Sequence, residues 1–135
     1  MRMIVPLMAL LGLSACILVA RPDPLPTGAM DFADYCSACH GLSGKGDGDL
    51  ATTLSRRPAN LTTLSARSGG TFPTTRVMAK IWGYTGGRQG GAVMPTFGDL
   101  LDGDTIPYDG GDGIMTPTPI RLVQIAEHLK SLQTK

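Results

Sequence analysis

The chain has 135 residues and a formal net charge of +1, with 42% hydrophobic and 17% charged residues. That length and balance predict one domain and give no basis for a charge-driven nucleic-acid partner. Aromatic content is 5% against 18 glycines and 10 prolines, so the side chains alone build only a thin core.

Arg2 precedes an apolar run from Met3 to Ala20, broken only by Pro6, Gly12 and Ser14. Residues 1–20 therefore read as a signal peptide or a membrane anchor. Within them, Leu13-Ser14-Ala15-Cys16 resembles a bacterial lipobox, whose cysteine carries the acyl chains of a membrane tether. The apolar continuation Ile17-Leu18-Val19-Ala20 keeps an ordinary cleaved signal and an uncleaved helix open as alternatives. Residues 21–27 hold three prolines and read as a stiff, extended tether, leaving 28–135 as the folded domain.

A first helix is expected from Gly28 to Cys39, with Phe32 and Cys36 four apart on one face. Gly41 to Gly48 reads as a loop, and a short helix is expected over Asn60 to Ser65. A second main helix, Thr74 to Tyr84, starts at Pro73-Thr74 and shows a stripe of Val77, Met78, Ile81 and Trp82. Gly83 to Gly91 breaks that pattern. The last helix takes Thr118 as N-cap and Pro119 as first residue, and carries Leu122, Ile125, Leu129 and Leu132 at three- and four-residue steps. No stretch alternates well enough to predict a sheet, so the expected fold class is all-α.

Cys36-Ser37-Ala38-Cys39-His40 is the motif that carries chemistry. Its C-x-x-C-H spacing reads as covalent attachment of a c-type haem. Two thiols a helical turn apart add to the two vinyl groups on one side of a porphyrin, and the next residue, His40, meets the iron as a ligand. A dithiol redox pair has the same C-x-x-C, but belongs beside a βαβ pattern that is missing here. A zinc site would have to recruit Cys16 and His128 from distant parts of the chain. A buried porphyrin would also supply apolar volume that this composition lacks.

Methionine is the usual second axial ligand of an electron-carrying c-type centre. Met94, in Gly90-Gly91-Ala92-Val93-Met94-Pro95-Thr96-Phe97, is the leading candidate, because glycines let the chain wrap and Pro95 stiffens the approach. Met115 is a weaker copy of that arrangement, Met78 sits on a helical stripe that suits core filling, and Met30 lies too near the attachment site to cross the ring.

Gly28-x-x-x-Phe32-x-x-x-Cys36-x-x-Cys39-His40-Gly41 resembles the opening of class I monohaem cytochromes c. Met94-Pro95-Thr96-Phe97 is similar to the axial-methionine segment of that family, and His128-Leu129-Lys130-Ser131-Leu132 to the end of its last helix. The resemblance spans Gly28 to Gln133 and implies a class I cytochrome c fold: three to four helices around one covalent haem c, the first and last crossing beside it. It implies Cys36 and Cys39 as attachment points, His40 and Met94 as axial ligands, and Phe32, Leu61, Trp82, Phe97 and Leu122 as pocket residues. Two departures stand out. His128 occupies a position where the family commonly has an aromatic residue, and its expected place is against the first helix near Phe32. Asp102 to Pro117 is an insertion, expected as a disordered or partner-facing loop.

Charge is unevenly placed. Ala51 to Gly98 holds six basic and no acidic residues, and Asp99 to Gly113 holds five aspartates and no basic ones. Such asymmetry orients redox encounters, and some of the cations suit haem propionates. The spacing of the aspartates does not match a calcium-binding EF-hand loop. The expected function is that of a single-electron carrier, not an enzyme, with iron cycling between Fe(II) and Fe(III). It would face the periplasm on a membrane tether and serve a cytochrome bc-type complex, a terminal oxidase or a dehydrogenase. A dedicated haem subunit of a dehydrogenase or oxidase, and a haem sensor or enzyme with a labile sixth ligand, are the alternatives.

Overall fold

A computed structural model describes residues 25–84 and 94–134. The expected signal or anchor segment 1–20, Cys16 with its lipobox, residues 21–24 of the tether and residues 85–93 lie outside the described residues.

Helix α1, Gly28–Tyr35, begins where the Thr27 hydroxyl accepts the Met30 N–H at 3.2 Å, with Asp31 in its first turn to complement the helix dipole. The single helix expected over Gly28 to Cys39 is instead broken at Cys36, and α2 runs over Ser37–His40. The segment expected as a short helix over Asn60 to Ser65 forms a 3₁₀ turn, Leu61–Thr63, capped by Asn60 Oδ1, which accepts the Thr62 N–H at 2.9 Å. A second 3₁₀ turn covers Ala66–Ser68. Helix α3, Thr74–Trp82, stops at Gly83, which closes it in the left-handed region at φ 114. Helix α4, Gly98–Leu101, was not expected from the sequence. Helix α5 runs over Ile120–Ser131.

Helices α1 and α5 cross closely because Gly28 has no side chain: a Cβ there would collide with the Gln124 carbonyl oxygen. Phe32, Ile81, Leu101, Leu122, Ile125 and Leu129 form the buried core, joining α1, α3, α4 and α5. Each such side chain contributes about 1.5–3 kcal/mol by leaving water. His128 packs its ring 5.2 Å from the Phe32 centroid at 51°.

The chain does not adopt the expected all-α class I cytochrome c fold. The described residues form five α-helices and a two-stranded antiparallel sheet, a small mixed α/β domain. The difference lies in the insertion. In place of a loop over Asp102 to Pro117, strand β1, Thr105–Asp109, pairs with strand β2, Met115–Pro119. The sheet was not expected because no stretch alternates cleanly, and the strands also hold prolines, which suit a sheet poorly. Their register removes the conflict. Pro107 faces Pro117, and neither has an N–H, so that pair lies between ladder hydrogen bonds. By alternation Ile106–Thr118 and Tyr108–Thr116 carry the bonds, and Pro119, opposite Thr105, again sits where its N–H would have pointed off the ladder. The same register moves the start of the last helix. Thr118 is not its cap but part of β2, with its hydroxyl donated to the Thr116 carbonyl at 2.9 Å, and Pro119 takes the capping position.

Candidate cofactor site

Cys36 sits at the break between α1 and α2, and Cys39 and His40 fill the single turn of α2. The carbonyls of so short a helix need donors from elsewhere. The following loop supplies them: Gly46 N–H donates to His40 at 2.7 Å, Gly48 N–H to Cys39 at 3.2 Å and Leu50 N–H to Ala38 at 2.8 Å. Gly48 permits this approach, since a Cβ there would collide with the carbonyls of Ser37 and Ala38. The chain then returns, and Leu61 N–H donates to Gly44 at 2.6 Å.

That return brings the Ala59 carbonyl 3.0 Å from His40 Nδ1. A carbonyl only accepts, so Nδ1 carries the proton and Nε2 keeps its lone pair. His40 is 8% exposed, and burial lowers its pKa, with the Ala59 bond opposing. The ring is therefore held neutral and oriented, as a metal-ligating imidazole requires.

A cavity of about 430 Å³ is lined by Cys36, Cys39, His40 and Met94. Its volume falls in the range of cofactor pockets, roughly 300–1,000 Å³. Met94 reaches it from a segment tied to α3 by the Phe97 N–H, which donates to the Ile81 carbonyl at 2.9 Å. Tyr35, Leu54, Pro58, Ala59, Pro95 and Phe97 complete the walls, and Arg56, Arg57, Arg67 and Lys80 add cations. Imidazole nitrogen, thioether sulfur, two thiols, apolar walls and a cationic lining together suit an iron porphyrin bearing carboxylates.

Of the expected pocket residues, Phe97 lines the cavity. Phe32 and Leu122 are buried in the core behind it, and Leu61 and Trp82 pack against that core. Among the other methionines, Met78 packs on the core, while Met30 and Met115 are exposed; none of them lines the cavity.

Cys36 is half-buried, and its thiol is pushed up to about 11, mainly by burial, then by the charges of Asp31 and Cys39. A raised thiol is the reverse of the lowered pKa that activates the attacking cysteine of a redox dithiol. Among the described residues no three His, Cys, Asp or Glu side chains gather to hold a metal ion by themselves.

The cations divide into two kinds. Arg67 Nη2 donates to the Asn60 carbonyl at 2.6 Å, and Arg76 Nη2 donates to Ser68 Oγ at 2.6 Å. The ion pairs among the described residues are Arg121–Asp31 and Lys130–Glu127, so Arg56, Arg57 and Lys80 have no carboxylate within ion-pair distance there. In the hairpin loop, Asp109 Oδ1 accepts the N–H groups of Gly111, Asp112 and Gly113 at 2.8, 3.0 and 3.0 Å. Those bonds, led by Gly111 and Gly113, lower its pKa and fold the loop around it.

Four participants were not foreseen. The Ala59 carbonyl is backbone and leaves no sequence signal. Tyr35, at the cavity, is marked only by its place next to Cys36. Asp31 and Arg121 are 90 positions apart, and one sequence does not connect them. Compared with family models, with curated proteins and with solved structures, the chain matches none.

Proposed function

We propose that this chain carries one covalently attached haem c and passes single electrons, with Cys36 and Cys39 as attachment points and His40 and Met94 as axial ligands. The observation that carries this proposal is the convergence of those four side chains on one cavity, although Met94 lies more than fifty positions from the motif in sequence. When bound, the haem supplies a metal whose valence changes by one electron.

The chain's own groups set the terms of that change. His40 holds its ring through the Nδ1–H donated to Ala59 and offers Nε2 to the cavity. A Met94 thioether holding the iron would favour the reduced state and raise the potential. Leu54, Pro58 and Phe97 exclude water, which disfavours the extra charge of ferric iron. Arg56, Arg57 and Lys80 offer cations to the porphyrin carboxylates and to an acidic redox partner. Were His40 and Met94 both to hold the iron, no open position would remain for a substrate, which favours a carrier over an enzyme. A periplasmic setting on a membrane tether rests on residues 1–20; among the described residues no helix is long and apolar enough to cross a membrane. A cytochrome bc-type complex, a terminal oxidase or a dehydrogenase would be the exchange partner.

The test is to express the full chain with haem-attachment machinery and weigh it. The intact mass is expected to rise by one haem, and the rise to vanish in Cys36→Ser/Cys39→Ser. A weak far-red band in the ferric spectrum is expected, and its loss in Met94→Ala. Full haem retention by the double mutant would sink the attachment claim. Ready carbon monoxide binding by the reduced wild type would sink the carrier claim.

A further inference from the structure

Asp31 is 1% exposed, and among the described residues its carboxylate is paired by Arg121 alone. Arg121 Nε donates to Oδ2 at 3.0 Å and Nη2 to Oδ1 at 2.6 Å, a two-pronged contact matched to carboxylate geometry. Its third nitrogen, Nη1, donates to the Leu100 carbonyl at 2.9 Å. Its guanidinium carbon lies 5.8 Å from the centre of the Tyr35 ring. One side chain of α5 thus clamps α1 and α4, and it covers an aromatic ring that lines the cavity next to Cys36.

The electrostatic consequence is specific. Asp31 stands four residues before Tyr35 and five before Cys36 on α1, about one to one and a half helical turns from two residues that line the cavity. An unpaired carboxylate so near a cofactor disfavours the arrival of an electron, and a neighbouring cation offsets it. Reduction adds one electron to the iron from an external one-electron donor and makes or breaks no bond. The balance of nearby charge is therefore a direct lever on the equilibrium.

We propose that Arg121 is a positioning residue of the cofactor site, which holds Tyr35 at the cavity wall and cancels the buried Asp31 charge, and thereby sets the reduction potential. This rests on the haem assignment above. Asp31 and Arg121 then act as a matched pair: removing the cation shifts the iron toward ferric, and removing the anion shifts it toward ferrous. A merely structural clamp has no reason to give opposite signs.

The experiment uses the full-length chain with haem attached, poised in a mediator solution at the wild-type midpoint. Intact mass is read first, for wild type, Arg121→Gln, Arg121→Lys, Asp31→Asn and Arg121→Gln/Asp31→Asn. For Arg121→Gln the ferric-to-ferrous ratio should move about tenfold toward ferric, the order expected when a charge at an effective dielectric near 20 loses its partner. Asp31→Asn should move the ratio the other way. Arg121→Lys and the double variant should return to within about twofold of wild type. An unchanged ratio in Arg121→Gln overturns the proposal, as does an equal shift in Arg121→Gln and the double variant. If Arg121→Gln fails to fold, the sign of the Asp31→Asn shift decides alone, and a ferric shift there is fatal. A wild-type chain whose mass lacks haem overturns the functional proposal and this one together, before any potential is measured.

Discussion

Residues 41–60 and the β1–β2 hairpin are both additions to the core formed by α1, α3, α4 and α5, yet they are held in different ways. The first segment spends its amides on the carbonyls of α2 and delivers Ala59, Pro58, Arg56 and Arg57 to the cavity. The second closes on itself through its own ladder. It touches the helices through the Ile120 N–H on the Asp104 carbonyl, Thr75 Oγ1 on the Gly110 carbonyl, and the Tyr108 hydroxyl on Glu127. A disturbance in the first segment is therefore expected to reach the cavity, and one in the hairpin to stay local.

The core beneath both sets the upper bound. Phe32→Ala should cost about 3–5 kcal/mol, because it removes the largest buried side chain among the described residues and leaves a cavity between α1 and α5. Denaturant unfolding of the wild type and variant measures this. A loss below about 1 kcal/mol would show that α1 and α5 pack loosely.

Gly48→Ala separates the two regions. The added Cβ meets the Ser37 and Ala38 carbonyls, so the expected loss is about 1–3 kcal/mol. The loop must move away from α2, and the His40–Ala59 bond moves with it. Stability and the haem spectrum should change together. A stability loss with an unchanged spectrum would break the proposed link between loop and ligand. In the hairpin, Tyr108→Phe removes the hydroxyl that donates to Glu127 and should cost about 0.5–1.5 kcal/mol with no spectral change. The Tyr108 hydroxyl is pushed up to about 12, by burial first and then by Glu127. Its folded pKa lies above the unfolded value, so that contribution holds below about pH 10 and is lost as pH rises toward the folded value. The Tyr108→Phe variant, with no hydroxyl to titrate, should lack this alkaline limb.

The same contrast explains what was legible in the sequence. Cys36, Cys39 and His40 were singled out by a fixed C-x-x-C-H spacing and Met94 by a local glycine- and proline-marked setting, and the fold brings all four to one cavity. The stripes of α3 and α5 announced themselves by period. The hairpin was missed because no stretch alternates cleanly, and its prolines satisfy a pairing register that exists only once two strands meet. Arg121 was missed for a related reason: an arginine at the start of an amphipathic helix looks solvated until a carboxylate 90 positions away is folded beneath it.

Asp109 gives the smallest and most local test. Its side chain is fully exposed, but its Oδ1 gathers three backbone N–H groups, which hold its pKa below the ordinary carboxylate value. For a carboxylate with a depressed folded pKa, the contribution is complete above the unfolded value, about 4, and is lost as pH falls through the folded one. The wild-type loop should therefore protect the Gly111 and Gly113 amides from exchange at neutral pH and release them in acid. Asp109→Ala should leave those amides unprotected at every pH, while amides in α1 and α5 and the haem spectrum stay as in wild type. If the variant instead altered the spectrum, the hairpin would be coupled to the cavity after all, through the Thr75–Gly110 bond that ties its tip to α3.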